Sequence, residues 1–252
     1  MSIDLNADLG EALGQWPMGD DEAMLAIVTS ANVACGFHAG DPVTTRRTVA
    51  SAVGRGIAVG AHPAYRDLVG FGRRRMDYAP DELAADIVYQ LGALDAFCRL
   101  AGTSVAYVKP HGALYNTIVA DEGQARAVVA AIADYAPGLA VLGLPGSAFL
   151  RLAADAGLRP VREAFADRAY NPDGTLVSRR LPGSVLHDAD AVAARMVRLA
   201  TERIMTAIDG TEFELEADSI CIHGDSPGAV TLAATVRREL EAAGVVLRPF
   251  AS

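Results

Sequence analysis

The feature that most constrains the fold is a regular alternation of short apolar runs with longer Ala-rich helical patterns. Seven runs have the length and composition of buried strands: Ile3–Asp8, Ala31–Cys35, Ile57–Ala61, Ser104–Lys109, Leu139–Leu144, Arg159–Glu163 and Ser219–His223. Helical patterns lie between or after them, near 20–29, 42–54, 80–101, 122–136, 147–156, 188–208 and 226–243. Strands separated by helices of this length pair in parallel through right-handed crossovers, so the pattern predicts an α/β protein.

Residues at the helix ends support these boundaries. Capping residues or first-turn prolines stand at four helix starts: Asp20, Asp41-Pro42, Pro80-Asp81 and Ser226-Pro227. Glycines that suit a left-handed cap follow four helices: Gly56, Gly102, Gly157 and Gly244.

Two parallel architectures compete, an open doubly wound sheet and a closed barrel. The first turn, NADLGE at 6–11, is acidic and lacks the Gly-rich pattern of a dinucleotide-binding sheet. Polar residues follow nearly every strand, as expected where all the loops face one pocket. We therefore predict one domain over 1–252, a distorted seven-stranded TIM-like barrel. Val245–Phe250 would add a short last strand, and 164–187 a long functional loop or hairpin over the pocket.

Composition narrows the function classes. The chain has 31 Asp and Glu against 22 Lys and Arg, a net charge of -9, which argues against nucleic acid as a partner. The N-terminus lacks the pattern of a signal peptide, and no stretch approaches the roughly 18 apolar residues of a membrane helix. Three widely spaced cysteines do not form a disulfide framework, so we expect reduced thiols and a cytoplasmic location.

Lys109 is the only lysine among the 22 basic side chains, and it stands at a predicted strand end. One interpretation is that a surface lysine survived by chance. The other is a cation that arginine cannot replace, because an ammonium is compact and can lose its proton when desolvated. We favour the second, in which Lys109 neutralises developing negative charge or donates a proton.

Four of the five histidines also lie close to strand ends: His38, His62, His111 and His223. Imidazole can shuttle protons or bind metal near neutral pH.

Carboxylates and amides complete a polar ring, namely Asn6, Asp8, Glu11, Asn32, Asp41, Glu163, Asp167 and Asp225, although Asp41 and Asp225 could simply cap helices. Asp8, His62 and His111 could together ligate a divalent metal, but the histidines lack the close spacing of common zinc motifs. We therefore expect no tightly bound metal.

Two segments suit anions. Residues 223–229 place small residues at a helix N-terminus, and 70–76 carry Arg73 and Arg74 in a glycine-containing loop. Residues 143–147 lack the Gly-Lys-Ser/Thr of a P-loop. No serine or cysteine sits in a nucleophile elbow, which argues against covalent acyl chemistry.

Six segments along the chain resemble the LamB/YcsF family. They are DLNADLGE (4–11), SANVACGFHAGD (30–41), GAHPAYRDLVGFGRR (60–74), VKPHGALYN (108–116), EAFADRAY (163–170) and IHGDSPG (222–228). The resemblance implies a distorted α/β barrel related to the glycoside hydrolase/deacetylase superfamily. It also implies a complex with subunits B and C that opens 5-oxo-L-proline to L-glutamate, with ATP, and with it Mg²⁺, as co-substrate.

The polar ring suits that reaction, and we assign roles as a hypothesis. Lys109 would stabilise the developing oxyanion or phosphate, His111 or His62 would shuttle a proton, and Asp8 would orient a histidine or activate water. Residues expected to bind or position the substrate and its anionic groups are Asn6, Asn32, His38, Arg73, Arg74, Tyr115, Tyr170, His223 and Asp225.

Two other function classes stay open at this point. One is a metal-dependent deacetylase or amidohydrolase that acts alone, and the other is a non-catalytic docking subunit whose partners perform the chemistry.

Overall fold

The computed structural model describes residues 1–251 and contains ten strands and eight helices. The strands are β1 Ser2–Leu9, β2 Ser30–Ala34, β3 Ala58–His62, β4 Tyr107–Val108, β5 Ala140–Gly143, β6 Arg159–Phe165, β7 Ile204–Thr206, β8 Glu212–Glu214, β9 Ser219–Cys221 and β10 Val246–Leu247. The helices are α1 Asp21–Leu25, α2 Pro42–Gly54, α3 Pro80–Leu100, α4 Gly112–Thr117, α5 Glu122–Tyr135, α6 Ala148–Asp155, α7 Ala189–Glu202 and α8 Ala229–Ala242.

Seven parallel strands close into a barrel. Strands β1 to β6 pair in chain order, and β9 pairs with both β6 and β1. Every pairing around this ring is parallel. The predicted seven-stranded barrel is confirmed, with all seven predicted strands in place.

The inner and outer faces of β1 differ in chemistry, because successive side chains of a strand point to opposite faces. Leu5 and Ala7 are fully buried in the main hydrophobic core. Asp4, Asn6 and Asp8 alternate with them and bond to polar groups of neighbouring strands. The barrel interior beside β1 is therefore polar, and the main apolar core lies between the barrel and its helices. A second, small apolar cluster contains Tyr107, Leu142 and Val161.

One region differs from the predicted elements, and the short last strand expected within Val245–Phe250 is present as β10. The helical pattern at 188–208 ends at Glu202, where Arg203 adopts a left-handed conformation with φ 61°. The chain then forms an antiparallel hairpin of β7 and β8. Strand β10 pairs with the start of β1 outside the ring, so it adds no eighth strand to the barrel. At this amino-terminal end of the barrel, the Phe250 ring packs edge-on against Tyr107 at 4.7 Å.

The irregular segment 164–187 forms the predicted long loop. Two isolated bridges fold it on itself, Arg168 to Val185 and Tyr170 to Leu176. The Arg168 guanidinium donates to the carbonyl oxygens of Val177, at 2.6 Å, and Ser184, at 3.2 Å. These two hydrogen bonds stabilise the folded form of the loop. Within residues 1–251, no helix combines the length and apolarity that crossing a membrane requires.

Candidate active site

A cavity of about 970 Å³ opens at the carboxyl ends of the barrel strands. Its walls come from residues after β3 and β4 and from the 164–187 loop, and its lining includes Asp8, His62, Lys109 and His111. These are the four residues that the sequence suggested as catalytic, and the fold brings them together because parallel strands end at one rim.

Lys109 lies on the cavity floor and is only 2% exposed. Its Nζ lies 2.9 Å from Asp8 Oδ1, 2.9 Å from Glu163 Oε1 and 3.1 Å from Cys221 Sγ. Burial alone lowers the pKa of Lys109, but Asp8, Cys221 and Glu163 raise that pKa well above its usual value. Lys109 is therefore a fixed cation at neutral pH, which favours charge neutralisation over proton donation.

A chain of amide and hydroxyl groups positions Asp8 from below. Asn32 Nδ2 donates to Asp8 Oδ1 at 2.9 Å and to Asn6 Oδ1 at 2.7 Å. Asn6 Nδ2 donates to Ser219 Oγ at 2.7 Å, and the Tyr107 hydroxyl donates to Asn32 Oδ1 at 2.6 Å. Asn6 and Asn32 are fully buried beneath the cavity and do not line it. They therefore support Asp8 from below, whereas the sequence had predicted that they contact the substrate directly.

Burial opposes ionisation of Asp8, yet His62 and Lys109 hold the pKa of this carboxyl well below its usual range. Its other oxygen, Oδ2, lies 3.2 Å from His62 Nε2. Asp8 thus remains an anion that contacts both the ammonium and an imidazole.

Three imidazoles form a compact group beside Asp8. His111 Nδ1 lies 2.9 Å from His62 Nε2, and the His38 and His111 rings stack with centroids 3.7 Å apart. His38 Nε2 lies 3.1 Å from Glu11 Oε1. Burial, with nearby histidines, lowers the pKa of His38 and of His111 well below the usual value, so both rings are neutral at physiological pH.

The mouth of the cavity carries ion pairs from different loops. Arg73 Nη2 lies 2.6 Å from Asp225 Oδ2, which joins the loop after β3 to the loop after β9. His223 Nδ1 lies 2.8 Å from Asp167 Oδ2. Arg73 and His223 both line the cavity, as expected for binding residues.

Besides Asn6 and Asn32, four of the expected binding residues do not line the cavity. His38 and Asp225 lie beside it in the contacts given above, whereas Arg74 and Tyr170 are held away from it. Arg74 donates from Nε to Asp67 Oδ1 at 2.8 Å within its own loop, and its side chain is 65% exposed. Tyr170 is buried, and its hydroxyl accepts from the Phe165 backbone N–H at 2.8 Å. Neither lines the cavity, because a local partner holds each side chain elsewhere.

Tyr115, unlike Arg74 and Tyr170, lies in the wall of the cavity. It is 5% exposed, and its hydroxyl makes no hydrogen bond of good geometry within residues 1–251, although burial and the nearby Glu163 carboxylate raise the pKa of Tyr115 well above its usual value. A buried hydroxyl without a partner is costly, so this group is suited to bond a ligand.

The sequence did not single out Cys221 or Arg168 as parts of the site. Cys221 contacts the Lys109 ammonium, and Arg168 fastens the loop that covers the cavity. For Cys221 the sequence offered one indication. Ser219 and Cys221 alternate with Ile220, as two inward-facing residues of a strand do.

The fold and site together define a parallel (β/α) barrel with a buried, charged cavity at the carboxyl ends of its strands. The chain belongs to the LamB/YcsF family, whose model matches residues 3–252. It is 63% identical over 251 residues to the A subunit of 5-oxoprolinase from Paracidovorax citrulli (strain AAC00-1), covering 100% of both chains. It is 60% identical over 249 residues to that of Kocuria rhizophila, covering 99% of each.

A solved structure agrees with this assignment. The lactam utilization protein from Thermus thermophilus is 46% identical and superimposes with a TM-score of 0.94. The match covers 99% of this chain and 100% of that one.

Proposed function

We propose that this chain acts as the A subunit of an ATP-dependent 5-oxoprolinase, which opens 5-oxo-L-proline to L-glutamate while ATP is hydrolysed to ADP and phosphate. The observation that carries this proposal is the 63% identity, over the whole of both chains, to a protein named as the A subunit of 5-oxoprolinase. The site supports it, because the cavity combines a fixed cation, an anion and neutral imidazoles.

The reaction explains why such a site is needed. A five-membered lactam is a stable amide, so attack by water requires an activated carbonyl, and phosphorylation of the amide oxygen by ATP would supply the activation. The negative charge then lies on the transferred phosphoryl group and develops on the oxygen that leaves with it as phosphate, and a preorganised cation in a buried site stabilises that charge strongly. Lys109 is suited to this role because it is protonated and rigidly held.

The proton transfers fall to the imidazoles. Water loses a proton as it attacks the carbonyl carbon, and the ring nitrogen gains one as the C–N bond breaks. While its Nδ1 is free of any other ligand, neutral His111 can accept the first proton, and His62 links it to Asp8 through contacts of 2.9 and 3.2 Å. The Tyr115 hydroxyl and Arg73 are suited to hold the substrate carbonyl and carboxylate.

The assembled enzyme would include subunits B and C, with ATP and Mg²⁺ as co-substrate. This chain lacks a P-loop sequence, so we expect the partners to contribute to nucleotide binding. We further propose a cytoplasmic location, where the three buried, unpaired thiols remain reduced.

Reconstitution tests the proposal. The purified chain alone is expected to give negligible 5-oxoproline cleavage, and addition of subunits B and C is expected to give ATP-dependent formation of L-glutamate. Robust turnover by the isolated chain, or cleavage without ATP by the complex, would contradict the proposal.

A further inference from the structure

The hydrogen bonds of His62 and His111 fix which ring nitrogens carry protons. His62 Nδ1 lies 2.7 Å from the Lys109 carbonyl oxygen, and His111 Nε2 lies 2.9 Å from the Phe71 carbonyl oxygen. A carbonyl oxygen only accepts hydrogen bonds, so both of these nitrogens donate. Unless a second proton binds to either ring, the opposite nitrogens, His62 Nε2 and His111 Nδ1, therefore present lone pairs.

These two lone pairs face each other at 2.9 Å. Asp8 Oδ2 approaches the same His62 nitrogen at 3.2 Å, and Glu11 Oε1 lies 3.7 Å from His111 Nδ1. Acceptors that converge in this way repel one another unless a positive centre lies among them.

The donors extend over a third imidazole to form a set of four. Glu11 Oε1, His38 Nε2, His62 Nε2 and His111 Nδ1 all lie within 4.8 Å of one another, and all four residues are buried. Zinc binds nitrogen and oxygen at about 2.0–2.1 Å, so the ligands at the corners of a tetrahedron are separated by roughly 3.4 Å. The separations of 2.9, 3.1 and 3.7 Å within the set bracket that value.

A neighbouring donor set, Asp8, Cys221 and His223, offers an instructive contrast. Its cation position is taken by Lys109 Nζ, which lies 2.9 Å from Asp8 Oδ1 and 3.1 Å from Cys221 Sγ. The Glu11 set contains no Lys or Arg side chain of its own.

We propose that Glu11, His38, His62 and His111 form a binding site for one first-row divalent cation, with zinc the best match to the three-nitrogen, one-oxygen donor set. Imidazole ligands of metals commonly donate their second nitrogen to a backbone carbonyl, as His62 and His111 do here. His38 Nδ1 has no partner within residues 1–251, so His38 is expected to be the most weakly held of the three ligands.

The surrounding loop is built closely around this group. Gly72 adopts φ +62°, and a Cβ added to it would lie 2.8 Å from both His111 Cδ2 and His38 Cβ. The expectation that no metal binds tightly came from the wide spacing of the histidines in the sequence. The four ligands come from the ends of four different strands, so their sequence spacing carries no information about the site.

The site does not depend on the proposed activity, because the bound ion is counted on the isolated chain without ATP or partner subunits. The chain is stripped with a chelator, dialysed, and titrated with ZnCl₂ by calorimetry, with metal content counted by elemental analysis. Substitution with Co²⁺ adds a visible spectrum that reports tetrahedral nitrogen and oxygen ligation.

One equivalent of zinc is expected, with a tetrahedral Co²⁺ spectrum and a higher melting temperature for the loaded protein. Glu11→Gln and His111→Gln, which conserve hydrogen-bonding capacity, are expected to weaken binding at least roughly 100-fold, since even outer partners of metal ligands contribute about 10- to 100-fold. His187→Gln, which changes the exposed histidine outside the cavity, is the matched control and is expected to bind normally.

Absence of stoichiometric binding, or binding that survives both cluster substitutions in folded protein, would overturn the proposal. A proton on His62 Nε2 would then account for the 2.9 Å contact between the two rings, and a doubly protonated His62 ring in the nitrogen NMR spectrum of the zinc-treated protein would identify it.

Discussion

At the scale of single residues, the site depends on how buried charges are balanced around Lys109. The ammonium contacts two carboxylates, Asp8 and Glu163, so the three groups together have a formal charge of -1. The opposite charges of such a buried cluster stabilise one another, because removing one partner of a buried ion pair leaves an uncompensated charge. The surface interpretation of Lys109 is therefore wrong, since the side chain is 2% exposed.

This balance predicts the behaviour of Lys109 and Glu163 variants. Lys109→Met leaves a formal charge of -2 among these groups and is expected to cost about 3–5 kcal/mol of unfolding free energy. The double variant Lys109→Met/Glu163→Gln restores the charge of -1 and is expected to recover most of that loss. Urea denaturation of both variants measures the effect. Equal destabilisation in both would show that packing of the lysine stem, and not charge balance, dominates.

Tyr115 and Tyr170 form a matched pair for a second prediction. The Tyr115 hydroxyl is buried in the cavity wall without a hydrogen bond of good geometry within residues 1–251, whereas the Tyr170 hydroxyl accepts from the Phe165 N–H. Tyr115→Phe is expected to leave stability unchanged and to raise the KM of the reconstituted complex roughly 10-fold, the effect of one hydrogen bond of about 1.4 kcal/mol. Tyr170→Phe is expected to leave KM unchanged.

The companion measurement is thermal or chemical unfolding. Tyr170→Phe leaves a buried N–H without an acceptor and is expected to cost about 1–3 kcal/mol. If instead Tyr115→Phe lowered stability and spared KM, the Tyr115 hydroxyl would have no part in substrate binding.

Several of these site residues could be predicted from the sequence because their residue types are rare in this chain. A single lysine and four histidines at strand ends stand out in a chain whose other cations are arginine. Arg74 and Tyr170 were placed with them because they lie in the same loops, but sequence position cannot show that Asp67 and the Phe165 backbone hold them away. Contacts of that kind depend on the folded geometry.

At the scale of elements, the barrel interior limits which residues its strands can carry. Gly60 in β3 faces the Tyr107 ring of β4, and a Cβ at Gly60 would lie 2.2 Å from that ring. The close approach lets the Tyr107 hydroxyl reach Asn32, which in turn positions Asp8. A glycine between two strands thus acts on the site through a chain of hydrogen bonds.

Gly60→Ala is therefore expected to destabilise the protein by about 1–3 kcal/mol, because the Tyr107 ring is fully buried, packed against Phe250 and hydrogen-bonded to Asn32, so that displacing it breaks these contacts. Gly92→Ala is the control: it lies in the exposed face of α3 with no atom near its added Cβ, and a gain of about 0.5–1 kcal/mol is expected there. Unfolding free energies from urea titrations give both values. A neutral Gly60→Ala variant would show that the barrel interior relaxes freely.

The elements that the sequence predicted well are those whose pattern is local. Asp41 caps α2 by accepting from the Val43 and Thr44 N–H groups, and Pro42 opens that helix, as expected. The pattern at 188–208 was wrong beyond Glu202, because Ile204–Thr206 owes its extended form to pairing with Glu212–Glu214. Helix α4 was not predicted, since its six residues, Gly112–Thr117, are too few for a periodic pattern.

At the scale of the whole molecule, charge is distributed unevenly. The chain carries a net charge of -9, yet five arginines line the cavity together with Lys109: Arg73, Arg75, Arg168, Arg179 and Arg180. A positive cleft in an acidic protein concentrates field lines and draws anionic ligands into the site. The carboxylate of 5-oxoproline meets that description, as would the phosphates of ATP in the proposed reaction.

The central claim is that ring opening depends on the buried charges of this chain. The double variant Lys109→Met/Glu163→Gln tests it most directly, because its formal charge matches that of the native cluster. L-Glutamate and ADP formed by the complex reconstituted with subunits B and C are measured together, alongside assembly by gel filtration. We expect intact assembly and a fall in L-glutamate formation of at least roughly 100-fold, the usual effect of losing one preorganised electrostatic contact. Turnover near that of the unaltered complex would contradict the claim and identify the chain as a docking subunit.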